Sequence, residues 1–324
     1  MNSATTTGGI GAAVGKRLRD PGFWADRAAV FALFAVVVVF AILSPEFLTL
    51  GNMQAVLVAA AILVVLAVGQ TYAVVTAGID LSIGATPTLA SVVVGYVVSQ
   101  QGNIVLACIL AVLTTTAFGI LNGTVIAKGG ITDFIVTLGA LSVATGVALL
   151  ISRGQPVEVI NPLLLRLSTG YLGPINYLVL LALLVAIVAH VLMFHTGFGT
   201  HLLATGGDRE AARNMGVNVD RIKISAYAIS GFLAGIGGVM LTARVGSAEP
   251  TPTTELLLNS VAAVVLGGVN LFGGRGSIIG PVAGALLLTA LLNGLTLLGV
   301  LEYWQPVVVG SVVVVSALLT RYQR

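Results

Sequence analysis

Charge is what this chain of 324 residues has least of. Asp, Glu, Lys and Arg together make 8% of it, against about 25% in soluble domains. So few ions cannot cover a globule in water, and a soluble domain is excluded. Cysteine is nearly missing: Cys108, in IVLACILAVL, is the only one, so no intrachain disulfide framework exists and the thiol reads as a small apolar side chain. The three histidines, His190, His195 and His201, have no Cys or carboxylate at ligand spacing and read as interfacial residues rather than a metal centre. No acid falls at the centre of an apolar run. Asp80 and Asp133 lie near run ends, which argues against a proton or sodium relay buried in the membrane.

Catalytic patterns are lacking as well. A P-loop needs GxxxxGK[ST] to cradle phosphates, and IGAAVGKR, the nearest stretch, lacks the first glycine and the Ser/Thr. There is no GxSxG, no HExxH and no pair of intramembrane aspartates, so a membrane hydrolase would have neither nucleophile nor base. The expectation is a protein that is not an enzyme and carries no cofactor. If it uses ATP, another chain must supply the ATPase.

What the chain has in abundance is apolar sequence: 57% of it is hydrophobic, in runs of about 20 residues, each long enough for a hydrocarbon core of about 30 Å. Stretches such as FALFAVVVVFAIL show none of the alternation of a barrel strand. An all-α integral membrane bundle follows, with about ten spans near 28–47, 52–76, 81–100, 103–127, 132–152, 175–195, 222–244, 254–272, 277–299 and 303–320. Residues 1–27 read as a flexible cytoplasmic tail, 28–320 as the membrane domain and 321–324 as a second cytoplasmic tail. A cleaved signal peptide is the rival reading of the start, but no A-x-A site closes the first run. The net charge of +3 is distributed as topology signals at span ends, not as a nucleic-acid patch. With an inside N-terminus, Lys16, Arg17, Arg19, Arg27, Lys128, Arg209, Arg213, Arg221, Lys223, Arg275, Arg321 and Arg324 fall inside and only Arg153, Arg166 and Arg244 fall outside. That asymmetry places both termini in the cytoplasm.

Four stretches depart from plain spans. QTYAVVTAGIDLSIGA puts Asp80 and Ser82 between two runs: Asp80 caps the following helix, or the broken backbone lines a substrate path. TLGALSVATGVALLISRGQPV carries Thr137, Ser142 and Thr145, whose hydroxyls either face a pore or bond their own helix. SVAAVVLGGVNLFGGRGSIIGP ends a span in a glycine turn around Arg275, an anchor or a contact for a cytoplasmic partner. GGDREAARNMGVNVDRIKIS, within a cytoplasmic loop over about 196–221, reads as a short helix with Asp208 and Glu210 at its positive end, Ala211 and Ala212 behind them, and Gly216 as its stop. Gly231 with Gly235, and Gly280 with Gly284, have the spacing that lets helices approach closely in lipid.

Together with ARVGSAEP and LLNGLTLLGVLEYWQPVVVG, these stretches resemble the permease subunits of bacterial ABC importers for ribose, xylose and related monosaccharides, from about Leu43 to Leu319. The resemblance implies a multi-pass bacterial cell-membrane protein that translocates a sugar. Its implied partners are a cytoplasmic ABC ATPase, an extracytoplasmic sugar-binding protein, and a second permease copy or paralogue in a dimer. It also implies a coupling helix that seats Glu210, Ala211, Ala212 and Gly216 on the ATPase. Asp80, Ser82, Thr137 and Asn259 are the candidates for the path, and Asn259 stands where the family commonly carries an acid. The related branched-chain amino-acid permeases are the alternative.

Overall fold

The computed structural model describes residues 28–251 and 254–321, so the tail read over 1–27 and residues 322–324 lie outside the described residues. The helices are α1 (Ala28–Leu43), α2 (Leu50–Val75), α3 (Thr86–Ser99), α4 (Ile104–Gly129), α5 (Asp133–Ser152), α6 (Pro162–Thr169), α7 (Tyr177–Phe194), α8 (Gly197–Gly207), α9 (Arg209–Asn214), α10 (Val219–Val245), α11 (Thr254–Leu266), α12 (Ile279–Leu297) and α13 (Gln305–Arg321). Six of them, α2, α4, α5, α7, α10 and α12, are long and apolar enough to cross a membrane. This is an all-α membrane protein.

Two expected spans are shorter than their apolar runs. The run over 81–100 opens with a 3-10 turn at Leu81–Gly84, and α3 starts only at Thr86. The run over 254–272 stops being helical at Leu266, followed by Gly267 and by Gly268 at φ +74°. Residue type explains the second case, since glycine takes positive φ without strain.

Helix α10 is the axis of the bundle and packs along α4, α2 and α3. Glycine sets how close it comes. A Cβ on Gly231 would strike the Thr115 carbonyl, and one on Gly119 would strike the Tyr227 carbonyl, so neither helix could approach as it does with any larger residue. The second small-residue pair works likewise, with Gly280 against the Gly267 carbonyl and Gly284 against that of Ala263.

The chain is built as two halves of like pattern. In the first, the long α2 leads through a break into short α3, then α4 and α5; in the second, the long α10 leads through a break into short α11, then α12 and α13. Packing partners correspond: α3 lies on α10 as α11 lies on α2, and α3 touches α4 and α5 as α11 touches α12 and α13. The two halves start from opposite ends of the bundle. At one end the C-terminus of α2 meets the start of α10, Asp133 of α5 and the loop before α12. At the other, Asn52 of α2 and Asn293 of α12 exchange amide hydrogen bonds at 2.9 Å. There too a two-residue antiparallel ladder pairs β1 (Val157–Glu158) with β4 (Ser247–Ala248), the segment that follows α10. The connection between α5 and α7, with α6 and the β2–β3 hairpin (Tyr171–Leu172 with Ile175–Asn176), covers that second end, burying Val159 and Leu164.

Candidate functional site

The end of the bundle where α2 stops carries the polar groups that an apolar core ordinarily lacks. Ala77 takes φ +55°, a left-handed turn uncommon for a residue with a Cβ, and redirects the chain into Gly78–Asp80. Asp80 is 2% exposed. Its carboxylate accepts from the Ser82 amide at 3.0 Å, from the Ser82 hydroxyl, and from the Ser230 hydroxyl of α10 at 2.7 Å. Asn122 of α4 donates to the Ser82 hydroxyl at 3.0 Å. The Gln70 amide of α2, oriented so that its nitrogen donates to the Asp80 carbonyl at 3.1 Å, accepts from the Asp80 amide at 3.3 Å. Asp80 therefore caps the 3-10 turn and also fastens the break to α10 and α2, while Ser82 fastens it to α4. A buried carboxylate without such donors would be prohibitively costly.

Beside it, Lys223 of α10 pairs with Asp133 of α5 at 2.9 Å. The sequence counts Lys223 among the topology-setting charges, whereas its side chain is buried and paired. Gly78 lies against this pair: a Cβ there would strike the Asp133 carboxylate and come to 2.6 Å from the Tyr227 hydroxyl. The carbonyl of the next residue, Ile79, receives hydrogen bonds from Tyr227 at 3.4 Å and Thr137 at 3.2 Å. Thr137 also bonds the Asp133 carbonyl of its own helix at 2.8 Å, and Ser142 and Thr145 bond back to Leu138 and Leu141. Three of the four residues read as path candidates, Asp80, Ser82 and Thr137, thus meet in one buried network. Asn259, half-buried on α11, is not part of it, although its neighbour Leu257 packs on Gly84 of the 3-10 turn.

The loop over 196–221 folds as α8 and α9. Asp208 is the N-cap of α9, accepting from the amides of Glu210 and Ala211 at 3.0 and 2.9 Å. Gly216 closes the helix at φ +86°, a conformation that favours glycine. Arg209 and Arg213 both reach Asp220 at the start of α10, so the loop helix is stapled to the bundle's axis. Glu210, Ala211 and Gly216 are exposed, while Ala212 is 3% exposed and faces inward. Met215 is 87% exposed. Sequence reasoning passed over it because one methionine carries no pattern.

Loop and break also meet backbone to backbone. Gly274 donates its amide to the Val75 carbonyl at 3.0 Å, where α2 ends. A Cβ on Gly206 would strike the same carbonyl, and one on Gly273 would come to 2.6 Å from the Gly206 carbonyl and 2.7 Å from the Ala77 nitrogen. Four contributors to the neighbouring network, Gln70, Asn122, Ser230 and Tyr227, were also missed by sequence reasoning. The available signal was an isolated polar side chain within an apolar run, as in GILNGT and AISGF.

A family model described as the permease component of the branched-chain amino acid transport system matches residues 52–317. The chain belongs to this permease family. The ribose import permease protein RbsC of Escherichia coli (strain K12) is 34% identical over 319 residues, covering 94% of this chain and 96% of the relative. RbsC of Bacillus subtilis (strain 168) is 36% identical over 308 residues with the same coverage. The D-allose transport system permease protein AlsC of Escherichia coli (strain K12) is 32% identical over 301 residues, 92% of each chain. No solved structure matches.

Proposed function

We propose that this chain is the membrane-spanning subunit of an ATP-driven importer that carries a monosaccharide across the bacterial cell membrane. The observation that supports it most is the similarity to sugar permeases over 94% of the chain, which favours a sugar over the branched-chain amino acid of the family model's description. The chain contributes no catalysis of its own. A cytoplasmic ATPase supplies the energy, an extracytoplasmic binding protein delivers the sugar, and a second permease copy or paralogue completes the path.

In this reading the bundle crosses the membrane ten times, with α3 and its 3-10 turn, α11 and the residues that follow it to 272, α1 and α13 added to the six helices long enough by themselves. Both termini are cytoplasmic, the arrangement in which the basic residues gather on the side of the α8–α9 loop. The α9 helix seats on the ATPase through Glu210, Ala211 and Gly216, with Ala212 holding the helix to the bundle and Met215 extending the contact. A six-residue helix is too short to persist alone in water, and here the Asp208 cap and the Asp220 ion pairs hold it ready. Asp80, Ser82, Thr137 and Asn259 belong to the walls of the path, the first three by fixing the backbone of the break.

The test is reconstitution in vesicles with the ATPase and binding protein of the same system, offered ribose, allose and leucine in parallel. ATP-dependent uptake of a sugar is the expected result, and uptake of leucine alone would favour the branched-chain reading. Cysteine introduced at Asn214 or Met215 is expected to crosslink to the ATPase, and an unreactive loop with undiminished uptake would refute the docking role. Thiol labelling of a cysteine at Gln323 from the outside would overturn the orientation.

A further inference from the structure

Resting on the importer reading, we propose that the buried Asp133–Lys223 pair is the strut that carries movement of α10 to α5, and so couples ATP hydrolysis to the path. Helix α10 begins at Val219, directly after the loop that follows α9, and Arg209 and Arg213 tie α9 itself to Asp220, three residues before Lys223. Any displacement of α9 therefore arrives at Lys223 within one helical turn. Helix α5 is differently placed. It packs on α3, on the 3-10 turn and on α4, and shares hardly any contact with α10 along its length. Much of its surface is open, with Gly139 and Gly146 facing no neighbouring atom within 4 Å.

Between these two helices stands the ion pair, with side chains only 9% and 14% exposed. Water screens such a pair little, and holding both charges out of water makes separation or loss of one partner costly. The backbone threads directly past it. Gly78 leaves space only for hydrogen against the Asp133 carboxylate, while Tyr227 from α10 and Thr137 from α5 donate to the one carbonyl of Ile79. Two helices that otherwise lie apart are thus clamped on two consecutive residues of the break, and the ion pair closes the clamp. A link of this kind ties the two helices directly, and without it α5 follows α10 only through the shared Ile79 carbonyl and their common neighbours α3 and α4.

The test uses the assembled importer in vesicles, in a Cys108→Ala background, and reads sugar taken up per ATP hydrolysed. With Asp133→Cys and Lys223→Cys together, the strut is absent: hydrolysis is expected to stay within about twofold of the parent while uptake falls by about tenfold or more. Joining the two thiols with a bifunctional reagent of matching span is expected to restore uptake. Unchanged uptake before joining, or continued failure after it, would overturn the strut. Should the double variant not assemble, Lys223→Arg and Lys223→Met decide the matter. Arginine, which keeps the pair, is expected to preserve the ratio, and methionine, which keeps only the length, to lower it about tenfold; a preserved ratio in the methionine variant would refute the proposal. The parent's own sugar uptake tests the importer reading separately, because the strut is judged only on ratios relative to a parent that transports.

Discussion

The two breaks in this bundle occupy corresponding places in its two halves and are built in opposite ways. The first, between α2 and α3, is buried throughout its course from Thr76 to Ala85 apart from Ala77, Ile79 and Leu81. Its polar atoms are spoken for by side chains from α2, α4, α5 and α10. The second, between α10 and α11, begins at Gly246, φ +74°, with no atom near where a Cβ would stand, and is held at β4 by a two-residue ladder. A break in a membrane helix frees backbone groups that lipid cannot satisfy. The first half satisfies them with a fixed internal network, whereas the second lies against the loop connection at the far end of the bundle.

That contrast is open to attack by substitution. Gly78→Val is expected to be the most damaging single change, because the new side chain must displace the Asp133 carboxylate and the Tyr227 hydroxyl; a loss of about 3 kcal/mol or more would show as failure to accumulate in the membrane. Gly246→Ala, its counterpart at the second break, meets open space and bears only the left-handed strain of about 1–2 kcal/mol, to be read as a modest fall in the melting temperature of the purified protein. Equal losses at the two glycines would remove the distinction. Ser230→Ala takes one donor from Asp80 and is expected to cost about 1–3 kcal/mol, with Asp80→Asn close behind, since an amide retains one acceptor for the Ser82 amide. If folded Asp80→Asn protein transports normally, the carboxylate is a brace for the break and not a contact for sugar. Asn259→Ala should be the mildest in stability, within about 0.5 kcal/mol; a changed uptake KM in that variant would place the second break at the sugar, and an unchanged one would remove Asn259 from the path.

Most of the helices were legible in the sequence because lipid imposes a single demand, length of apolar run, which Ala28 onward meets again and again. Boundaries failed where chain direction changes inside such a run. Nothing in the apolarity of Leu81 and Ile83 announces a 3-10 turn, and the positive φ at Ala77 is imposed by packing and not by residue type. The loop helix was readable from its cap and its stop, Asp208 and Gly216, because both act on the local backbone. The network around Asp80 was only half readable. Asp80 and Ser82 are neighbours, but Gln70, Asn122 and Ser230 come to them from separate helices, and a sequence carries no distance between helices. Lys223 was misjudged for the same reason: beside Arg221 it looks like one more interfacial charge until Asp133 is brought to 2.9 Å.

The contact of Gly206, Gly273 and Gly274 with Val75 and Ala77 has a consequence for how this protein can evolve. Where side chains meet, a loss on one surface is offset by a gain on the facing one, and pairs of positions drift together. Here three stretches of main chain touch, and apart from the Ala77 Cβ the facing surface has no side-chain atoms to give up. Every single replacement at Gly206 or Gly273 moves backbone, and trimming Ala77, the facing side chain at Gly273, still leaves the Gly206 carbonyl and the Ala77 nitrogen in the way. The join is therefore frozen against gradual change, and a lineage that altered it would have to rebuild the end of α2, the end of α8 and the turn before α12 in one step.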